Sequence, residues 1–437
     1  MEETAVIAIV GCVSVVILML MRVQIAVALG LVSVVGFGYM VGYQPALGIL
    51  IDSPIRTVTN FEFSVIPMFI LMGALVSAGG MSRELFRAAN AWMGHLPGGM
   101  AMATVFACGG FAAINGSSIA TAATMAQVAL PEMRRANYDP GMSLGIIAAG
   151  GTLGIMIPPS VLFVIYSILT DVDVAKLFIA GVVPGLIAIL LYCIAIQLVC
   201  AFYPRLLPRG PHADWRERFE SLRDVWATLL LFFIVVGSIY GGFTTVTEAA
   251  SIGVIGALAI GFARRRLTWK LVLECLIEAL RTSAAIFFIA ISAFLFQFFL
   301  AVTETSQSLA AWMTALDVEP MTIVIFVVLA YLLAGTFIDE LATVLLTVPI
   351  LFPVVVTELG FDPLYFGVLV VMTTTIGLYA PPVGIICFIL NSMVRDISLM
   401  QIYKGTLPML AADLVRLTLL VAFPILSTWL PGTMIRY

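Results

Sequence analysis

Charge is what this chain has least of. Lys, Arg, Asp and Glu together supply 11% of its 437 residues and apolar side chains 62%, against about 25% and 45–50% in soluble domains. Such a chain cannot cover a folded surface with polar groups, and many stretches of roughly 17–25 apolar residues are long enough to span a bilayer. The strands of a membrane barrel would alternate polar and apolar positions, which these segments do not. No basic, aromatic-interleaved surface supports nucleic-acid binding. Histidine is nearly absent, and His95 and His212 both fall in expected loops, which disfavours a histidine metal centre. The six cysteines (Cys12, Cys108, Cys193, Cys200, Cys275, Cys387) lie in or beside apolar segments with no CxxC pair and read as small buried residues. The start, Met1-Glu2-Glu3, lacks a basic leader region, and no small-residue cleavage site precedes Arg22, so 5–21 is expected as a retained first span. The net charge of −4 decides little; the placement of the charges matters more.

Against this apolar background one phrase occurs twice. Tyr138-Asp139-Pro140 leads to Gly154 and Pro158-Pro159, and Phe361-Asp362-Pro363 leads to Gly377 and Pro381-Pro382, each position offset by 223. A double proline cannot sit in unbroken helix, because proline lacks a backbone donor and clashes with the preceding turn. Paired helix breaks in repeated halves point to a transporter's binding site.

The expected path is span 5–21, span 23–42, span 61–80, a broken segment 98–131, a second broken segment 141–170, and spans 177–202, 224–243 and 246–263. An interfacial helix 268–281 follows, then span 282–301, broken segments 322–355 and 363–394, and a last span 406–430. If 98–131 and 322–355 are re-entrant hairpins, 17 of the 21 basic residues fall on one side: Arg22, Arg83, Arg87, Arg134, Arg135, Arg205, Arg209, Arg216, Arg218, Arg223, Arg264, Arg265, Arg266, Lys270, Arg281, Arg395 and Lys404. By the positive-inside rule that side is cytoplasmic. Arg56, Lys176 and Arg436 fall outside, with Glu2, Glu3, Asp171, Asp173, Glu304, Asp317, Glu319, Glu358 and Asp362; Arg416 stays within the last span. Reading either hairpin as one crossing would put the five arginines of 203–223 outside. The chain is therefore expected to be an all-α polytopic membrane protein. Its inverted repeats are 1–202 and 224–437, joined by a cytoplasmic linker, 203–223, that is proline-rich near its start (Pro204, Pro208, Pro211). The amino terminus is expected on the outer face of the membrane.

A backbone break inside a bilayer persists only where protein or a wet cavity satisfies the freed groups. The first break, Asn115-Gly116-Ser117-Ser118-Ile119-Ala120-Thr121, places hydroxyls at a half-helix N-terminus, where amides attract anions. Its freed carbonyls suit a small hard cation, and the alternative is small residues packing helices closely. The second, Gly150 to Ser160, offers carbonyls freed by proline with the Thr152 and Ser160 hydroxyls, an oxygen set suited to sodium, or else a kink serving packing alone. The third spans Gly335 to Thr343. Its adjacent Asp339 and Glu340 are costly in an apolar stretch; they ligate sodium, carry a proton, or face water at a hairpin tip. The fourth, Thr373 to Gly384, mirrors the second with three threonines upstream. Asp413 and Arg416, three apart on the last span, read as a structural ion pair, and Glu248, after a Thr-rich turn, as solvated.

At GSSIATAATMAQVALPEMRRANYDP, GTLGIMIPPS, LLTVPILFPVV, LGFDPLYFGVLVV and IGLYAPPVG the chain closely resembles the large membrane subunit of tripartite ATP-independent periplasmic (TRAP) transporters, over most of its length. The resemblance implies an elevator-type carrier that takes up a small organic anion, typically a carboxylate, with sodium as coupling ion and no organic cofactor. The anion would arrive on a periplasmic solute-binding protein, and a separate small four-helix membrane subunit would complete the scaffold. It implies a first cation site at Gly116, Ser117, Ser118, Thr121, Gly151, Thr152 and Gly154. It implies a second at Gly335, Asp339, Thr343, Thr374, Thr375 and Gly377. Substrate would lie between the tips, near Asn115, Ser117, Pro158, Pro159, Ser160, Pro381, Pro382 and Gly384. Similar proteins commonly have Thr where this chain has Ala380, so a side-chain ligand is missing there. The rival is a stand-alone sodium/dicarboxylate symporter of related fold. An intramembrane protease is disfavoured, because Asp339 lacks a Gly-x-Gly-Asp setting and a partner aspartate, and no histidine lies in a span.

Overall fold

The computed structural model describes residues 2–210, 212–315 and 318–434, and among these there is helix and turn but no strand. Met1, Pro211, Asp317 and Arg436, invoked above for leader, linker and outer surface, lie outside the described residues.

The chain begins with α1 (Glu2–Leu20), α2 (Ile25–Val41) and α3 (Tyr43–Thr59). A 3-10 turn, Phe61–Ser64, leads into α4 (Val65–Ala78) and α5 (Met81–Met93). A hairpin of α6 (Gly99–Asn115) and α7 (Ser118–Arg135) precedes a broken helix, α8 (Pro140–Met156) with α9 (Val161–Thr170), and then α10 (Val174–Phe202). The second half runs α11 (Trp215–Tyr240), α12 (Val246–Ala263), α13 (Trp269–Val302) and α14 (Thr305–Thr314). It continues with a hairpin of α15 (Pro320–Phe337) and α16 (Glu340–Phe352), the latter extended by a π turn, Pro353–Glu358. A second broken helix, α17 (Pro363–Gly377) with α18 (Ile385–Met393), and then α19 (Leu399–Ala422) and α20 (Ile425–Gly432) end the chain. Among the described residues eight helices are long and apolar enough to cross a bilayer, and α8 with α9, bent by 41° at their break, are so when taken together.

The repeated phrase is a helix start. The Asp139 carboxylate accepts the Met142 amide at 2.8 Å, and the Asp362 carboxylate accepts the Leu364 and Tyr365 amides at 2.8 and 3.2 Å. Pro140 and Pro363 follow at the first helical position, where a missing amide costs nothing. Each helix then runs to a cis Pro-Pro bond, Pro158-Pro159 or Pro381-Pro382. The two copies point in opposite directions. Tyr166, near the end of α9, donates to the carbonyl of Pro363 at the start of α17 (2.8 Å). Arg134, just before α8, pairs with Asp396, just after α18 (2.9 Å). Each broken helix therefore begins where the other ends.

Both expected hairpins fold back on themselves. Thr104 reaches the sulfur of Met133 (3.7 Å) and the Met100 amide reaches the Tyr138 hydroxyl (3.2 Å), across the turn between α6 and α7. Thr347 donates to Tyr331 across the other turn (2.7 Å). Helices α1 to α4 and α11 to α13 build a second body in which α2 and α4 lie along α13. Phe299 fills the space left by two glycines there: a Cβ on Gly11 or Gly36 would stand 2.6 or 2.4 Å from its ring. On the hairpin side α8 and α19 touch backbone to backbone, since a Cβ on Gly145 would stand 2.2 Å from the carbonyl carbon of Gly405. Small residues are what allow helices to associate where water supplies no driving force.

Several boundaries differ from expectation. Helices α3 and α5 occupy stretches where no element was expected. They are amphipathic, and Asp52 and Arg56, or Arg83 and Arg87, make them too polar to read as spans. Segments 268–281 and 282–301 are one helix of 34 residues, because no Gly or Pro interrupts α13 and Thr268 caps its start. The last span is not 406–430: Ser398 and Gln401 form a capping box that starts α19 at Leu399, and Pro424 follows its end at Ala422. The linker is shorter than 203–223, since α11 begins at Trp215 and carries Arg216, Arg218 and Arg223. The breaks are narrower too: 150–156, 335–337 and 373–377 are regular helix, and only the residues beyond them are opened.

Candidate functional site: two hairpin tips on one cavity

The first tip turns at Gly116, whose φ of +64° suits a residue without a side chain. Ser117 is extended and caps α7, its hydroxyl accepting the Ala120 amide at 3.4 Å. Asn115 donates to Thr121 across the turn (3.4 Å). Three glycines let this tip rest on the first broken helix. A Cβ on Gly116 would stand 2.7 Å from the Pro159 carbonyl oxygen, and one on Gly154 would stand 2.7 Å from the Ser117 carbonyl oxygen and 3.0 Å from the Thr121 hydroxyl. One on Gly151 would stand 3.1 Å from the Ser118 carbonyl oxygen. Gly116, Ser117, Ser118, Thr121, Gly151 and Gly154 thus come together. The Ser118 hydroxyl is fully buried and has no hydrogen-bond partner. Thr152 lies on another side of α8: its hydroxyl donates to the Ala149 carbonyl (2.6 Å).

The second tip is built the same way with different chemistry. Asp339 takes the place of Ser117 as the cap of the second arm, accepting the Leu341 amide at 3.2 Å, while its carbonyl accepts the Thr343 hydroxyl at 2.9 Å. A Cβ on Gly377 would stand 2.2 Å from the Gly335 carbonyl carbon, and one on Gly335 would stand 3.0 Å from the Thr374 carbonyl oxygen. Gly335, Thr374 and Gly377 therefore meet. The Thr374 and Thr375 hydroxyls donate within α17, to Val370 (2.9 Å) and Met372 (2.8 Å). Glu340 is 8% exposed and one of its carboxylate oxygens has no hydrogen-bond partner.

Both tips face a cavity of about 690 Å³. Asn115, Gly116, Ser117, Ala120, Thr124 and Gln127 line it from the first hairpin, and Asp339, Glu340 and Leu341 from the second. The far wall is α4, through Ile70, Ala74 and Ser77, and α13, through Glu274, Glu278, Thr282, Ile286 and Ile289. Of the residues expected near substrate, Asn115 and Ser117 line this cavity. Ser160 is buried as the cap of α9 (Phe163 amide, 3.3 Å), and Pro158 and Pro159 border a narrow cleft against α10 and α11. Pro381, Pro382 and Gly384 are not on its wall; the Pro382 carbonyl accepts the Tyr403 hydroxyl (2.8 Å). Glu274 and Glu278 are not evident from the sequence, where their polar segment reads as a separate interfacial helix. Joining it to the following span would have placed two carboxylates, four apart, on one face of α13.

Residues 12–426 match the family model described as "Tripartite ATP-independent periplasmic transporter, DctM component". The chain belongs to this family. It is the large permease component of a TRAP transporter, a transporter and not an enzyme class, and the family implies a small membrane subunit and a periplasmic binding protein as partners. The chain is 37% identical over 402 residues to the C4-dicarboxylate TRAP transporter large permease protein DctM of Pseudomonas aeruginosa, covering 90% of this chain and 93% of that protein. It is 34% identical over 382 residues to the isethionate TRAP transporter permease protein DctMQ of Oleidesulfovibrio alaskensis, covering 86% of this chain and 58% of that longer protein. Its fold resembles the crystal structure of the Alcanivorax borkumensis YdaH transporter, with a TM-score of 0.65 at 14% identity over 87% of this chain and 89% of that one.

Proposed function

We propose that this TRAP permease carries a small organic anion, a carboxylate such as a C4-dicarboxylate, sugar acid or keto acid, together with sodium ions across the bacterial inner membrane. Cargo is handed over by a periplasmic solute-binding protein, and a small four-helix subunit completes the scaffold. The observation that carries this reading is the meeting of two oppositely inserted tips on one cavity. The first cation site uses the carbonyls of Ser117 and Ser118 with the hydroxyls of Ser118 and Thr121 against Gly151 and Gly154. The second uses Asp339 with Thr343 and the backbone around Gly335, Thr374, Thr375 and Gly377. Hard oxygens from carbonyl, hydroxyl and carboxylate groups suit sodium and need no metal cluster. The hairpins and broken helices move as one transport body against α4 and α13, in the manner of an elevator, with repeats 1–202 and 224–437 supplying two states of similar energy. On the orientation set by the arginines, the α13 end bearing Lys270 and Arg281 is cytoplasmic, so the cavity opens inward and the amino terminus lies in the periplasm.

The test is uptake into vesicles holding this chain with its small subunit, binding protein added outside, for a panel of C4-dicarboxylates, sugar acids and sulfonates. Uptake should need an inward sodium gradient, the small subunit and the binding protein together. Uptake by this chain alone would favour the stand-alone symporter, and uptake driven by a pH gradient without sodium would replace the coupling ion.

A further inference from the structure

One buried charged cluster is not used by either site. Asp413 and Arg416, on α19, are 0% and 2% exposed and pair at 2.8 Å. The same Asp413 carboxylate accepts the Tyr192 hydroxyl of α10 (2.6 Å) and the Tyr379 hydroxyl from the break after α17. The helix that carries Asp413, α19, lies backbone to backbone on α8 at Gly405 and Gly145. Tyr379 lies two residues beyond Gly377. The helix packed on the first broken helix thus carries the carboxylate that holds the break of the second.

Stability alone does not account for it. Burying two charges costs about as much as their attraction returns, and apolar residues of the same volume commonly do as well. The geometry does give the cluster a task. Backbone contact leaves no slack between α8 and α19, and a hydrogen bond tolerates little displacement, so a shift of α8 or of the break beyond Gly377 is felt at Asp413 by the other. We propose that Asp413 and Arg416 form a positioning centre that couples the two ion sites: closure of one tip on sodium sets the register of the other broken helix and raises the affinity of its site. This rests on the two-site sodium reading above. The coupling is a free energy shared by two distinct sites through named contacts.

The experiment follows thermal unfolding of the purified full-length chain against sodium chloride, with choline chloride holding ionic strength constant. A ligand of the native state raises the midpoint by mass action. The unmodified chain should show a sodium response with a Hill slope above one. Tyr379→Phe and Tyr192→Phe each remove one link and keep the ring packed. Each should bring the slope to about one and raise the apparent sodium constant roughly 3- to 10-fold, the worth of one hydrogen bond. In the unmodified chain Ser118→Ala and Asp339→Asn should be non-additive on the sodium constant, and in the Tyr379→Phe chain additive. A merely structural role predicts otherwise: a lower midpoint without sodium, with slope and non-additivity unchanged, and that result overturns the proposal. A flat sodium response in the unmodified chain overturns the sodium reading itself and this inference with it, and is seen before any tyrosine variant is compared.

Discussion

Ser117 and Asp339 do the same job in the two hairpins, each the extended residue that caps the arm leading away from a tip. One tip thereby presents hydroxyls and carbonyls and the other a carboxylate, so substitutions at the two tips separate charge from shape. Asn caps a helix about as well as Asp. Asp339→Asn should therefore change unfolding stability by less than about 0.5 kcal/mol while sharply weakening sodium-driven uptake, and more so than Glu340→Gln. An unaltered sodium activation curve for Asp339→Asn removes that carboxylate from the ion's ligands. At the other tip Ser118→Ala deletes a buried hydroxyl without a partner. Its folded state should be at least as stable, because a buried unsatisfied group is a cost. The half-saturating sodium concentration for uptake should rise about tenfold, the worth of a polar contact to a charged group; an unchanged value takes the first tip out of the coupling site.

Helix contacts here depend on missing side chains, and this is where element-scale tests are sharpest. Gly377→Ala pushes a methyl to within 2.2 Å of the Gly335 backbone, which cannot yield as a side chain can. It should destabilise by about 1–3 kcal/mol. Gly237→Ala, on an exposed face of α11 with nothing within 4 Å, should stabilise by about 0.5–1 kcal/mol. Thermal unfolding of both variants reads the two signs. In a cysteine-free chain, cysteines at Leu96 and Arg135, which flank the first hairpin, should react with an impermeant thiol reagent from one face of the membrane. Cysteines at Glu319 and Glu358, flanking the second, should react from the other. Reaction at the two ends of one hairpin from opposite faces would make it a simple crossing. These elements were largely legible in the sequence, because a break leaves Gly, Pro and polar residues in an apolar run, and the repeated Asp-Pro start fixes the register of both copies. The amphipathic α3 and α5 were not, since a search for apolar spans passes over helices with a charged face. The continuity of α13 was also missed: the polar residues at its start, Lys270, Glu274 and Glu278, look like an interfacial segment until the absence of a breaker is given its weight. At the sites, breaks in the apolar sequence marked the residues of both tips, but not the far wall with Glu274 and Glu278 or the two tyrosines that meet at Asp413, because these are brought in by helices distant in the chain.

For the molecule as a whole, the cavity presents a problem of sign. Glu274 and Glu278 on α13 and Asp339 and Glu340 at the second tip all line it, and no Lys, Arg or His among the described residues does. On the transport proposed above, an organic anion brought here would meet carboxylates on the wall it faces, whereas sodium released beside it would be drawn toward them. If the transport body moves against a fixed α13 as proposed, these two glutamates act only in the inward state. They would then favour departure of the anion without weakening its capture on the other side. The effect is long-range and partly screened, since the Debye length is about 8 Å at physiological salt. The double variant Glu274→Gln, Glu278→Gln should therefore slow net uptake roughly two- to tenfold at low salt and less at high salt. Exchange of external for internal anion across preloaded vesicles should change little, because rebinding from the inside becomes easier as release becomes harder. Measuring net uptake and exchange side by side at two ionic strengths separates this from a general loss of function, in which both rates fall together and salt makes no difference. That second outcome would mean that the glutamates serve only the fold of α13.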